Sequence, residues 1–243
     1  MRPGAVALAV SSLIALGAGP PAPPPLPARM ADTGGGTQLI TAVAPERAST
    51  TGTVSWWDRG GDGRWVRRGS APARFGANGL VAGASRKQGT STTPTGLYGL
   101  PYAFGIKAAR RLDAEGVRAA RRGTAYRYRR VHRDSWWCQD NDSRSYNRWS
   151  EPRAADCRAA EAEQLITYRA QYAHALVIGF NYARPVRGRG AGIFLHVNGR
   201  GATSGCVSVP EGAMRQILTW ADPARRPHIA VGTTSGKTAV TRL

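Results

Sequence analysis

Gly190-Ala191-Gly192-Ile193-Phe194-Leu195-His196-Val197-Asn198-Gly199-Arg200-Gly201-Ala202-Thr203-Ser204-Gly205-Cys206-Val207-Ser208-Val209 holds two short apolar runs joined by turn formers. The first run, Gly190 to Val197, shows no polar alternation before His196 and reads as a strand covered on both faces. The second, Cys206 to Val209, reads as another strand. Between them, Asn198, Gly199, Gly201, Ser204 and Gly205 favour turns. That connection suits a loop between neighbouring strands, which lie ~4.8 Å apart. A histidine ending one strand and a cysteine opening the next then come within hydrogen-bonding reach.

Working outward, Tyr172 to Phe180 repeats the pattern through Ala175-Leu176-Val177-Ile178. Upstream, Gln38 to Ala44, Thr51 to Trp57, Arg64 to Val66 and Gly79 to Val81 are short apolar runs between glycine-rich or charged turns, and they read as strands. Pro94-Thr95-Gly96 places a turn before a further strand. Downstream, Met214, Ile217, Leu218 and Ala221 recur at helical spacing and predict a helix ending before Asp222-Pro223. Ile229 to Val231 is the last expected strand. Arg153 to Tyr168, following Ser150-Glu151-Pro152, is expected to be helical, with Cys157 in its first half. The arginine- and alanine-rich stretch Lys107 to Arg122 reads as a surface insertion. The fold expected is mainly β with a few helices, a β-rich α+β domain.

The N-terminus has the charge order of a signal peptide: Met1-Arg2 precedes a small-residue and apolar run from Val6 to Ala18. Export is the expected consequence, because the run is shorter than the ~20 apolar residues of a membrane span. Pro20 to Gly36 is rich in proline, glycine and alanine and reads as a linker outside the fold. The net charge of +19 favours polyanions. For an exported protein these are anionic wall polymers and lipid headgroups, and no nucleic acid is expected as a partner. The excess is nearly all arginine, with lysine only at 87, 107 and 237, a balance that GC-rich coding also produces without a selected partner.

Three cysteines in an exported chain leave one unpaired. Cys138 and Cys157 are separated by 18 residues in a polar, tryptophan-rich stretch, whereas Cys206 sits among small residues. A Cys138–Cys157 disulfide is therefore expected, stabilising the fold by ~3 kcal/mol in the chain-entropy view. Cys206 is then the free thiol.

A thiol beside an imidazole is the arrangement that nucleophilic catalysis uses, since a paired imidazolium lowers the thiol pKa and raises the thiolate fraction. The amides of Gly205 and Cys206 are candidate donors to a tetrahedral oxyanion. Spacing alone does not separate this from a buried core cysteine near an unrelated histidine. A metal site is not expected, because His132, His174 and His228 are scattered and offer no further ligands at recognisable spacing.

Five pieces in order carry a resemblance: Gly76-Ala77-Asn78-Gly79, Thr93-Pro94-Thr95-Gly96-Leu97-Tyr98, Asp142-Ser143-Arg144-Ser145-Tyr146-Asn147, Ile193-Phe194-Leu195-His196 and Thr203-Ser204-Gly205-Cys206-Val207. From about Gln38 to Thr233 the chain resembles the L,D-transpeptidase (YkuD-like) catalytic domain, particularly its exported relatives. The resemblance implies a β-sandwich or barrel catalytic domain over residues 37–243, preceded by signal peptide and linker over 1–36. It implies that Cys206 attacks the diamino-acid carbonyl of a peptidoglycan stem tetrapeptide and expels D-alanine, with His196 as base. The carbonyl of Val197 would orient the imidazole, and no cofactor or metal is implied. Capture of the thioester by a neighbouring stem gives a 3-3 cross-link; capture by water gives L,D-carboxypeptidase activity.

Two positions depart from the family pattern. Ser204 stands where many members have a second histidine, and its hydroxyl can donate near an oxyanion without carrying charge. Ser208 stands where many have an arginine, so Arg200 is the candidate substitute for binding a substrate carboxylate. Asp140, Tyr146 and Asn147 are candidate substrate contacts, the alternative being that their stretch forms a packed corner. The competing function is a non-enzymatic basic wall-binding protein in which Cys206 is inert.

Overall fold

Side-chain alternation in the central strands divides the apolar residues between two clusters, and this division positions the candidate site. The computed structural model describes residues 23–107 and 126–234. Strands β1 (Gln38–Ala44), β2 (Thr51–Arg59) and β3 (Trp65–Arg74) form an antiparallel meander. They are followed by β4 (Leu80–Ala82), β5 (Thr93–Gly99), β6 (Ala103–Gly105) and β7 (Tyr128–Arg130). With β11 (Ala175–Val177), β12 (Phe194–Val197), β13 (Val207–Val209) and β14 (His228–Thr233), they make one eleven-stranded sheet. Its order is β4-β5-β14-β1-β2-β3-β13-β12-β11-β6-β7. The chain is thus mainly β, as expected, with one α-helix among the described residues, α1 (Glu211–Trp220).

Leu195 and Val197 of β12 pack with Val207 and Val209 of β13, Ile40 and Ala42 of β1, and Met214, Ile217 and Leu218 of α1 in the larger cluster. The apolar face foreseen for the helix is the buried one, and the Ala221 amide ends it by donating to the Ile217 carbonyl. Residues of the other parity, Phe194 and Cys206 with Ala175 and Val177, belong to a second cluster. The pairing of Leu195 with Val207 and of His196 with Ser208 in the parallel β12–β13 ladder puts His196 and Cys206 on this second face, offset diagonally.

A small sheet covers that face: β8 (Trp136–Cys138) between β9 (Arg148–Ser150) and β10 (Ala162–Gln164). Phe194 stands at the junction, edge-on to Phe104, Trp137 and Tyr172 at ring separations of 5.0, 4.9 and 5.7 Å. Each such aromatic pair adds about 0.5–1.5 kcal/mol beyond the burial itself. Cys138 at the end of β8 is bonded to Cys157, with Cα atoms 6.1 Å apart, as the cysteine count predicted.

Two sequence expectations are corrected. Residues 153–168 form turns, two short 3-10 segments and β10 rather than a helix. Here tertiary pairing overrides local propensity: Cys157 is bonded to β8, β10 pairs with β8, and the stretch has no apolar face to bury as a helix. The proline- and glycine-rich segment is also not wholly outside the fold. Leu26–Arg29 is a 3-10 turn, and Met30 is buried against Leu39, Trp57, Trp65 and Ala230. One methionine gives the segment an apolar anchor that composition hides. The run Val6 to Ala18 and the insertion from residue 108 to 122 lie outside the described residues.

Candidate active site

The second cluster leaves an open cleft of about 310 Å³ above β12 and β13, lined by Cys206, His196, Arg86, Gln139, Glu163 and Tyr172 among others. Its floor is fixed through the backbone of Cys206. The carbonyl of Cys206 accepts from the Thr203 hydroxyl at 2.7 Å and from the buried Thr93 hydroxyl at 3.2 Å. Thr93 is held in turn by the Gly76 amide at 2.8 Å. The Thr203 amide donates to the Phe75 carbonyl, and Arg74 Nη1 donates to the Gly199 carbonyl at 2.6 Å. The loop between His196 and Cys206 is therefore pinned at both its middle and its end. Gly205 adopts φ +130°, and a Cβ there would lie 2.7 Å from Arg86 Nη2 and 2.9 Å from the Thr92 carbonyl oxygen, so glycine is required.

Cys206 Sγ accepts from the Phe194 amide at 3.3 Å and donates to the Gly192 carbonyl at 3.4 Å. Cys206 as a residue is 9% exposed. Burial pushes the thiol up to about 12; the Phe194 amide opposes that, the Glu163 carboxylate adds to it and the Arg86 guanidinium opposes it. His196 is 7% exposed, and burial holds its imidazole down at about 4 against the pull of the Val197 carbonyl. Its Nδ1–H donates to the Val197 carbonyl at 2.8 Å, which leaves the lone pair on Nε2. Tyr172 stands edge-on to the ring at 5.6 Å.

Burial disfavours the charged form of each group, and the thiol bonds to Gly192 and Phe194, with no hydrogen bond to the imidazole among the described residues. With its pKa near 12 against 9.0 for an ordinary cysteine, Cys206 carries about 10³-fold less thiolate at neutral pH. Alkylation by iodoacetamide is accordingly expected to be slow at pH 7 and to keep rising past pH 10, as read by intact mass. A plateau of rapid alkylation between pH 6 and 8 would show an ion pair instead.

The other expected residues divide. Ser204 and Arg200 line the cleft and are exposed. Gly205, expected to offer its amide, already donates it to the Thr203 hydroxyl at 3.1 Å, leaving the Cys206 amide as the remaining candidate of the two. Asp140, Tyr146 and Asn147 are buried behind the cleft wall and do not line it, which corrects their reading as substrate contacts. Asp140 forms a two-oxygen pair with Arg158 and accepts the Arg158 amide, and these bonds hold its carboxyl well below the usual range. Tyr146 donates to Gln88 Oε1 and accepts the Gly190 amide. Asn147 Oδ1 accepts both Trp137 Nε1–H and the Gly192 amide, each at 3.0 Å. It thus positions the residue whose carbonyl holds the Cys206 thiol.

Sequence reading included Gln139 in the Trp136 to Asn147 stretch expected at the cleft, and it does line it, but it did not single out Arg86, Glu163 or Tyr172. Glu163 is half-buried in the cleft wall, accepting from Tyr172 Oη and from Gln139 Nε2 at 2.8 Å, and desolvation raises its pKa. Nothing in local spacing connects these four positions; only Thr93, inside a motif already noted, carried a signal. Among the described residues no group of three or more His, Cys, Asp or Glu side chains could hold a metal, and no helix is long and apolar enough to cross a membrane.

Residues 48–234 match the family profile of the L,D-transpeptidase catalytic domain, YkuD. Searches against curated proteins and against solved structures returned no match.

Proposed function

The chain belongs to the YkuD family of L,D-transpeptidase catalytic domains, and from that premise we propose that it is an exported cysteine acyltransferase acting on peptidoglycan stem peptides. The observation that carries the reading is the unpaired Cys206 in a cleft with a neutral His196 whose Nε2 lone pair is free to accept a proton. Cys206 Sγ attacks the carbonyl of the diamino acid while His196 Nε2 takes the thiol proton. The oxyanion is met by the Cys206 amide, with the Ser204 hydroxyl at the cleft mouth. Collapse breaks the C–N bond, and the amine of D-alanine leaves with the proton from His196. A second stem amine then attacks the thioester, loses a proton to His196 and releases Cys206 as a thiol. Because both groups start neutral, the proton moves in the course of attack, and no resting thiolate is needed.

The apolar run from Val6 to Ala18 serves export on this reading, while Met30 packs with the catalytic unit, and the strong positive charge favours anionic wall polymers. The same chemistry with water as acceptor makes a carboxypeptidase. Mass spectrometry of stem tetrapeptides incubated with the protein separates the outcomes. Cross-linked dimer plus free D-alanine is expected. Tripeptide without dimer would assign hydrolysis, and no product alongside retained binding to wall polymers would sink the enzyme reading.

A further inference from the structure

Arg86 is 5% exposed, yet it forms none of the ion pairs among the described residues. Its guanidinium is held by neutral groups only. Nε donates to the Thr92 carbonyl at 2.8 Å, Nη1 donates to the Arg189 carbonyl at 3.1 Å, and the Phe180 ring lies 5.7 Å below. Among the described residues Nη2 donates to no protein group, while the side chain lines the cleft. The chain makes room for it with two glycines of positive φ: a Cβ on Gly190 would fall 1.7 Å from Nη1, and one on Gly205 would fall 2.7 Å from Nη2.

Burying a guanidinium without a counter-ion is costly, since carbonyl dipoles replace only part of its hydration. Burial accordingly pulls its pKa down. An anion delivered into the cleft would meet a fixed, desolvated donor with an unused N–H pair. Arg200, the candidate from sequence, is exposed on the loop, where solvent and salt weaken its pull.

We propose that Arg86 is the specificity-determining residue that binds the free α-carboxylate at the C-terminus of the donor peptide. This rests on the acyl-transfer reading above and assigns one end of its substrate. The carboxylate of the departing amino acid lies one residue beyond the scissile carbonyl, and one residue spans ~3.8 Å. Nη2 lies 2.7 Å from where a Cβ on Gly205, the residue before the nucleophile, would stand, which places the cation beside the cysteine's own loop.

The test compares donor tetrapeptides ending in a carboxylate with the same peptides ending in a primary amide, following thioester formation by intact mass. For the unmodified protein, the amide is expected to lower kcat/KM at least about 10-fold, the loss of one charge-assisted contact. Arg86→Gln should bring the two donors to equal rates, Arg86→Lys should restore part of the preference, and Arg200→Gln should keep it. Equal rates for acid and amide in the unmodified protein would overturn the assignment without touching the acyl-transfer reading, and need no variant to fold. An Arg86→Gln protein that loses the same factor on both donors would also overturn it. Absence of thioester from either donor in the unmodified protein would overturn the acyl-transfer reading and this assignment with it.

Discussion

Replacing His196 with glutamine is expected to slow thioester formation from a stem tetrapeptide about 10³-fold, within the range for loss of a positioned acid–base group. The argument lies in the resting protonation states. A thiol raised to about 12 has almost no thiolate of its own, so attack depends on a base accepting the proton as the C–S bond forms. Glutamine keeps the hydrogen-bonding shape of the ring without an acceptor of comparable basicity. The pH profile gives the sharper reading. Because burial holds the imidazole at about 4, its base form is intact at pH 5.5, where an ordinary histidine would be mostly protonated. The acid limb of kcat/KM is thus expected near pH 4, with activity falling as pH drops through it. A limb near 6.5 would mean that His196 is solvated in the working protein.

The second large effect concerns the small sheet. Replacing Cys138 and Cys157 together by serine is expected to cost about 3 kcal/mol, for a loop closed over 19 positions. In a domain of this size that corresponds to a fall in Tm of roughly 6–12 °C. The bond joins β8 to the segment leading into β10; Gln139 directly follows β8 and Glu163 lies within β10, and both line the cleft. Thioester formation should therefore weaken at temperatures where the main sheet remains folded, as read by near-ultraviolet circular dichroism beside the assay. A change in Tm under about 2 °C would mean that the Asp140–Arg158 pair and the β8–β10 ladder suffice without the bond.

Much of the main sheet was legible because its strands are strongly patterned. Gln38 to Ala44 is a strand with the bounds expected, and Met214, Ile217 and Leu218 form the buried helix face. The disulfide followed from counting cysteines in context. Expectations weakened where long-range bonds decide the structure. Residues 153–168 carry helix-compatible composition, but a disulfide and a strand ladder dictate their path. Asp140, Tyr146 and Asn147 looked like ligands because polar residues in a tryptophan-rich stretch suggest a cleft. Their bonds run to Arg158, Gln88, Trp137 and the backbone of residues 190 and 192, so they support the wall from behind. Arg86 went unseen for the same reason: its role depends on Gly190 and Gly205, over a hundred positions away.

Thr93, whose hydroxyl supports the Cys206 carbonyl, lies on β5, and within the large sheet β5 reaches β1 only through β14, the last strand to leave the ribosome among those described. The support of the Cys206 carbonyl by Thr93 thus rests on strands drawn from both ends of the described chain, because β5 joins the body of the large sheet through its pairing with β14.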